Sequence, residues 1–258
     1  VIISTIEENL NSFITNFSFK NLKNADEVII VIQGLKGKSV IPELSSYKVI
    51  NDENYGLSSS RNIGIKNSSC DFIWFLDDDV VLIDDCIDKL KSHLEINYSF
   101  DLHTVRMQYL DGRPYKNYSN KKKLGRINSL RVSSVELVAS RSFIKNNCIR
   151  FNKNLGLGSK FPSTEENIFY LDIFDKGGEV THLPKFLLKH EYIDRKAMHF
   201  KNKFILNAKG MFCRRYGGIT GLLILIYYFL KCFFISRSML LSFSLIEGYK
   251  EIKKNIET

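Results

Sequence analysis

Residues 72–82 read FIWFLDDDVVL, an apolar run that meets three consecutive carboxylates and then resumes at once. Phe72 to Leu76 are too few residues for a helix and suit a buried strand. Asp77, Asp78 and Asp79 crowd like charges at its end, and each raises the others' pKa unless something positive sits between them. The nearest basic residues in sequence are Lys66 and Lys89, so the compensating charge is expected from outside the chain. In an open parallel sheet, ligands sit outside the carboxyl ends of the strands. A hard divalent cation bound by one or two carboxylates, with phosphate oxygens completing its shell, accounts for such a cluster there. The plainer alternative is a solvated acidic turn leading into the helix expected from Asp84.

Short apolar runs also occur at 1–4, 27–33 (EVIIVIQ) and 48–50 (KVI) and read as further buried strands. Between the first two, Leu10, Phe13, Ile14 and Phe17 recur at helical spacing within 9–20. Strands alternating with helices predict an α/β fold with right-handed crossovers. Residues 58–69 (SSSRNIGIKNSS) read as a serine-capped helix start, and 84–97 as an amphipathic helix. Further on, a hairpin is expected around Asp111-Gly112 and a mobile basic loop at NKKKLGR. A helix over 164–176 should be stopped by Gly177-Gly178. VTHLP and KFLLKHE read as two short strands.

The 258 residues, 44% hydrophobic and 25% charged, describe an ordinary globular chain long enough to bury a full core. The net charge of +9 is not evenly spread. Residues 195–246 hold nine basic residues and no acid, whereas 1–194 balance 25 against 25. This divides the chain into a neutral body at 1–194, with halves at about 1–100 and 101–194, and a cationic tail at 195–258. Five scattered cysteines, none in a CxxC spacing, speak against a disulfide framework or zinc site and for a reducing compartment. The opening VIISTIEENL has no basic n-region and is not expected to be a secretory signal.

The stretch NYGLSSSRNIGIKNSSCDFIWFLDDDVVL (54–82) resembles the nucleotide-sugar-binding half of family 2 glycosyltransferases of the GT-A fold. Gly56, Arg61, Asn62, Gly64, Asp77 and Asp79 fall on that family's glycine-and-arginine segment and its Asp-x-Asp motif, with Ser60 where the family has Ala. VIIST and EVIIVIQ resemble the family's first two strands, with Gln33 replacing the usual acid that contacts the nucleobase. The resemblance implies a GT-A, Rossmann-like, mostly parallel sheet. It assigns nucleotide contacts to Ser4, Thr5, Gln33, Arg61, Asn62, Asp77 and Asp78. It also assigns a divalent ion, Mn²⁺ or Mg²⁺, to Asp77, Asp79 and His190.

FNKNLGLGSKFPSTEENIFYLDIFDKGG (151–178) resembles the family's acceptor segment, with Glu165-Glu166 as the acidic pair and the base at Glu166. Asp172 stands where many relatives carry an Arg. The chemistry itself needs few groups. A metal acting as a Lewis acid stabilises a leaving diphosphate, and one general base takes the acceptor hydroxyl's proton. His93, His103, His182 and His199 lack partner spacing and are expected to be structural or exposed.

Residues 219–235 (ITGLLILIYYFLKCFFI) are apolar except for Thr220 and Lys231. As a helix they would extend about 25 Å, short of the roughly 30 Å bilayer core. With the basic stretch before them, they suit an in-plane or shallowly inserted helix on anionic lipid, with a spanning or a buried helix as alternatives. Lipid is favoured over nucleic acid as the partner of this charge.

The combined expectation is an inverting, metal-dependent enzyme at the cytoplasmic face of a bacterial inner membrane. It would pass a sugar from a nucleotide-sugar, such as a UDP-sugar, to a lipid-linked glycan in O-antigen or capsule assembly. Two rivals are a haloacid-dehalogenase-like phosphatase using Asp77 and Asp79, and a non-catalytic membrane-bound scaffold.

Overall fold

The computed structural model describes residues 1–37, 41–192 and 196–255. Its strands are β1 (Ile2–Ile6), β2 (Ile29–Gln33), β3 (Lys48–Asp52), β4 (Phe72–Asp77), β5 (Val81–Leu82), β6 (Leu102–Tyr109), β7 (Lys123–Leu124), β8 (Leu137–Ser140) and β9 (Val180–His190). They form one mixed sheet in the order β3-β2-β1-β4-β8-β6-β9-β5, with β7 beside β9. The β3-β2-β1-β4 half is parallel, and β8 joins β4 antiparallel.

Alternation along the central strands explains why they are buried on both faces. Ile3, Ile30, Ile32, Trp74 and Leu76 point into one apolar layer, and Ile2, Ile29, Val31, Ile73 and Phe75 into the other. Helices α1 (Leu10–Asn16), α2 (Leu57–Asn67), α3 (Cys86–Ile96), α4 (Arg141–Asn146) and α5 (Glu165–Asp175) flank the sheet. α2 lies so close to β1 that a Cβ on Gly64 would come within 2.5 Å of the Ile2 side chain.

The expected helices over 84–97 and 164–176 are present, the latter with Thr164 as N-cap and Lys176 as C-cap. Several local expectations change. Gly56, at φ 142°, caps α2 in place of a serine; Ser58 and Ser60 are buried and bond to the Leu155 carbonyl and the Ser4 hydroxyl. VTHLP and KFLLKHE fuse into the single strand β9, because Pro184 and Lys185 fall where its register against β6 shifts. Part of NKKKLGR pairs as β7, and the Lys122 carbonyl accepts from the His182 amide, so this segment is tied to the sheet. At Asp111-Gly112 there is a turn, but its return strand is limited to a Gln108–Pro114 bridge.

The C-terminal helices α6 (Lys196–Lys201), α7 (Lys203–Tyr216), α8 (Gly218–Ser236) and α9 (Met239–Asn255) complete the chain. A change of charge marks the boundary at 194, but packing does not stop there. Ile168 and Leu171 of α5 share one apolar core with Leu206, Met211 and Phe212 of α7 and Leu245 of α9. Glycine makes the helices of this unit cross closely, since Cβ atoms at Gly210 and Gly248 would lie 2.0 Å from carbonyls of the facing helix. Asp172, in place of an Arg, accepts from Arg215 of α7, which also reaches Asp175 at 2.6 Å. The α5 partner missing from the sequence pattern is therefore supplied by the C-terminal unit.

Candidate active site

β4 delivers Asp77 to the carboxyl end of the sheet, beside Ser4 of β1 in register. Asp78 turns toward β1, where it accepts from the Thr5 hydroxyl at 2.6 Å and from Asn9 at 3.2 Å. Asp79 is 53% exposed, and its Oδ2 lies 3.2 Å from His190 Nε2 at the end of β9. The strand, the turn after it and the far strand β9 thus converge on one edge.

The compensating charge comes from within the chain. Arg61, one turn inside α2 and 1% exposed, donates to Asp77 at 2.8 Å, to Glu165 at 3.1 Å and to Ser134 Oγ at 2.7 Å. Its guanidinium lies over the Phe151 ring, and its buried Nε has no hydrogen-bond partner among the described residues. Sequence proximity could not reveal this partner, because Arg61 is distant from both carboxylates along the chain. Burial pushes the Asp77 carboxyl above the usual range; Arg61 opposes that shift, and the neighbouring Asp79 charge adds to it.

Three residues assigned to nucleotide, Arg61, Asn62 and Gln33, are turned inward. Arg61 braces the site floor, and Asn62 clamps both the amide and the carbonyl of Phe151. Gln33, also buried, accepts from the Gly56 amide at 2.8 Å and donates to the Thr5 carbonyl at 3.4 Å. Its side chain is thus engaged in shaping the start of α2.

The two acids opening α5 have different surroundings. Glu165 is buried and held by Arg61. Glu166 lines a cavity of about 210 Å³ together with Asp77, Ser133, Ser134, His190 and His199. Burial, and then the Glu165 charge, raise the Glu166 carboxyl well above the usual range. Thr164, in the left-handed region at φ 70°, sets the direction of this helix start and donates to the Ala208 carbonyl of α7. Three residues singled out in the sequence, Asp77, Glu166 and His190, therefore share one cavity. His199, expected to be structural or exposed, lines the cavity with them. It lies more than thirty positions beyond Glu166 in sequence, with no motif around it to reveal the contact.

Among the described residues, no cluster of three or more His, Cys, Asp or Glu side chains is arranged to hold a metal by itself. Asp79 and His190 together offer a carboxylate and an imidazole, a pair suited to an ion that takes its other ligands from a substrate.

The sequence profile described as Glycosyl transferase family 2 matches residues 2–159, more than half of the chain. The chain belongs to glycosyl transferase family 2. Among solved structures, the fold is similar to that of S. aureus TarS 1-349, with a TM-score of 0.65, 15% identity, and coverage of 97% of this chain and 76% of that one. TarS 1-349 in complex with UDP-GlcNAc gives a TM-score of 0.63 at 14% identity, covering 97% of this chain and 91% of that one. Against a longer TarS structure, matched at a TM-score of 0.61 and 15% identity, 98% of this chain covers only 54% of that chain. No curated protein matches. In this family 2 glycosyltransferase Asp77 and Glu166 line one cavity, and the phosphatase reading of Asp77 and Asp79 falls away.

Proposed function

We propose that this glycosyltransferase moves a sugar from a nucleotide-sugar donor to a hydroxyl on a lipid-linked glycan, with inversion and with Glu166 as general base. The observation that carries the reading is the division of labour at α5. Arg61 engages Glu165, which leaves Glu166 facing the cavity shared with Asp77 and His190. A carboxyl with a raised pKa is a stronger base once ionised, and its pKa lies closer to a neutral working pH. The acceptor hydroxyl would give its proton to a Glu166 carboxylate oxygen as its own oxygen attacks the sugar carbon.

Asp79 and His190 would hold a divalent ion, with Asp77 beside them. When bound, such an ion supplies Lewis-acid charge to the leaving diphosphate. The like-folded TarS was crystallised with UDP and with UDP-GlcNAc, which makes uridine donors the first to try. The basic C-terminal unit supports work at an anionic membrane surface, which we place at the cytoplasmic face of a bacterial membrane in surface-polysaccharide assembly.

The experiment is a thermal-shift panel of nucleotide-sugars with and without Mn²⁺. A ligand that binds only the folded chain raises its melting temperature. A metal-dependent shift with one donor supports the reading, and indifference to every donor contradicts it.

A further inference from the structure

We infer that one face of α8, extended by the start of α9, is a docking surface that lies in the plane of an anionic bilayer. Successive helical residues turn by about 100°, so side chains three and four apart share a face. On α8 the outward stripe is Ile219 (79% exposed), Leu223, Ile226, Leu230 and Phe234 (74% exposed), and Leu240 of α9 (84% exposed) continues it. The opposite face, with Gly221, Ile224, Leu225 and Cys232, is buried against the rest of the C-terminal unit.

α8 is long and apolar enough to cross a membrane, but its packing favours an in-plane pose. A Cβ on Gly221 would lie 2.4 Å from the Cys213 carbonyl of α7, so α8 is pressed against a neighbour that carries polar and charged residues. Crossing a bilayer would strip away that contact. An in-plane helix keeps it and buries only the outward stripe.

Charge selects lipid over a second copy of the chain. A two-fold interface sets the same patch against itself. Lys231 and Arg237 flank the stripe and the nearest acid to either in sequence is Glu247, so a second copy would add positive charge to positive charge across the axis. Anionic headgroups answer both. Lys231 suits this position, since its Nζ lies 3.3 Å from the Tyr227 hydroxyl at the flank of the stripe and its stem can cover apolar surface while the ammonium stays wet.

The surface is mechanically joined to the catalytic helix. Arg215 of α7 binds Asp172 and Asp175 of α5, and Arg126 binds Asp175 and the Tyr216 carbonyl. Docking would therefore hold the start of α5, with Glu166, at a fixed height over the membrane. This last step rests on the lipid-linked acceptor proposed above.

The test is co-sedimentation of the full chain with phosphatidylglycerol vesicles and with phosphatidylcholine vesicles, at low and high salt. Binding should be at least tenfold stronger to the anionic vesicles, weakened by salt, and released by an alkaline carbonate wash. Leu223→Glu/Phe234→Glu, which changes only exposed positions, should lower vesicle binding at least tenfold while leaving the circular dichroism spectrum and nucleotide binding unchanged. Undiminished binding by the double variant, retention through the carbonate wash, or a dimer in solution that the double variant dissolves would each overturn the inference. Nucleotide binding measured on the same samples separates failure of docking from failure of the transferase reading.

Discussion

Arg61 and Glu165 stand 104 positions apart in sequence, yet the guanidinium donates to the carboxylate across 3.1 Å inside the protein. Because the same guanidinium also binds Asp77, the end of β4 and the start of α5 share one buried cation. Removing one partner of a buried ion pair leaves the other charge uncompensated, at a cost of about 3–5 kcal/mol. Arg61→Met should therefore lower stability by that order in chemical denaturation, and a change of under about 1 kcal/mol would show that Arg61 is not the brace described here.

Glu165 acts on its neighbour through charge. Burial is the first cause of the raised Glu166 pKa and the Glu165 carboxylate the second. Glu165→Gln removes the second, so the acid limb of the rate profile, where the base must lose its proton, should move to lower pH. The measurement is kcat/KM against pH for both proteins. A limb that stays in place would mean that Glu165 carries no charge felt at Glu166.

The same raised pKa has a stability signature. A carboxyl whose folded pKa lies above its ordinary value of 4.5 favours the folded state at low pH, and that contribution is lost as pH rises through the folded value. Glu166→Gln stays neutral throughout. Its melting temperature relative to the parent should climb as pH rises from about 4 to about 8; a constant difference would show that the folded chain does not raise this pKa.

Gly64 tests the contact between α2 and β1. An alanine Cβ would meet Ile2 at 2.5 Å, an overpacking that costs typically about 1–3 kcal/mol. Gly64→Ala should be destabilised to that extent in thermal melts, and Ile2→Ala, which removes the clashing Cγ2, should cost less in the Gly64→Ala background than in the parent.

Much of this architecture was legible in short stretches. The apolar runs at β1, β2 and β4 alternate between two cores, and the 164–176 helix announces itself through its cap and the glycines that follow. The order of charges around Asp77 was not, because its counterion lies on α2, a different element from β4, and nothing local marks the pairing. Inserting Pro184 into β9 made one bulged strand read as two. The C-terminal unit looked like a separable tail because composition records its charge, while its attachment depends on Arg215, Asp172 and a shared core.

The central claim is that Glu166 takes the acceptor proton while Glu165 is held by Arg61. Its most direct measurement is sugar transfer by Glu166→Gln, with donor affinity determined separately by calorimetry. Transfer should fall by roughly 10²–10⁴-fold, the contribution of a positioned general base, while donor affinity stays within about twofold. Transfer by Glu166→Gln at close to the parent rate, or a loss traced entirely to donor affinity, would contradict the assignment.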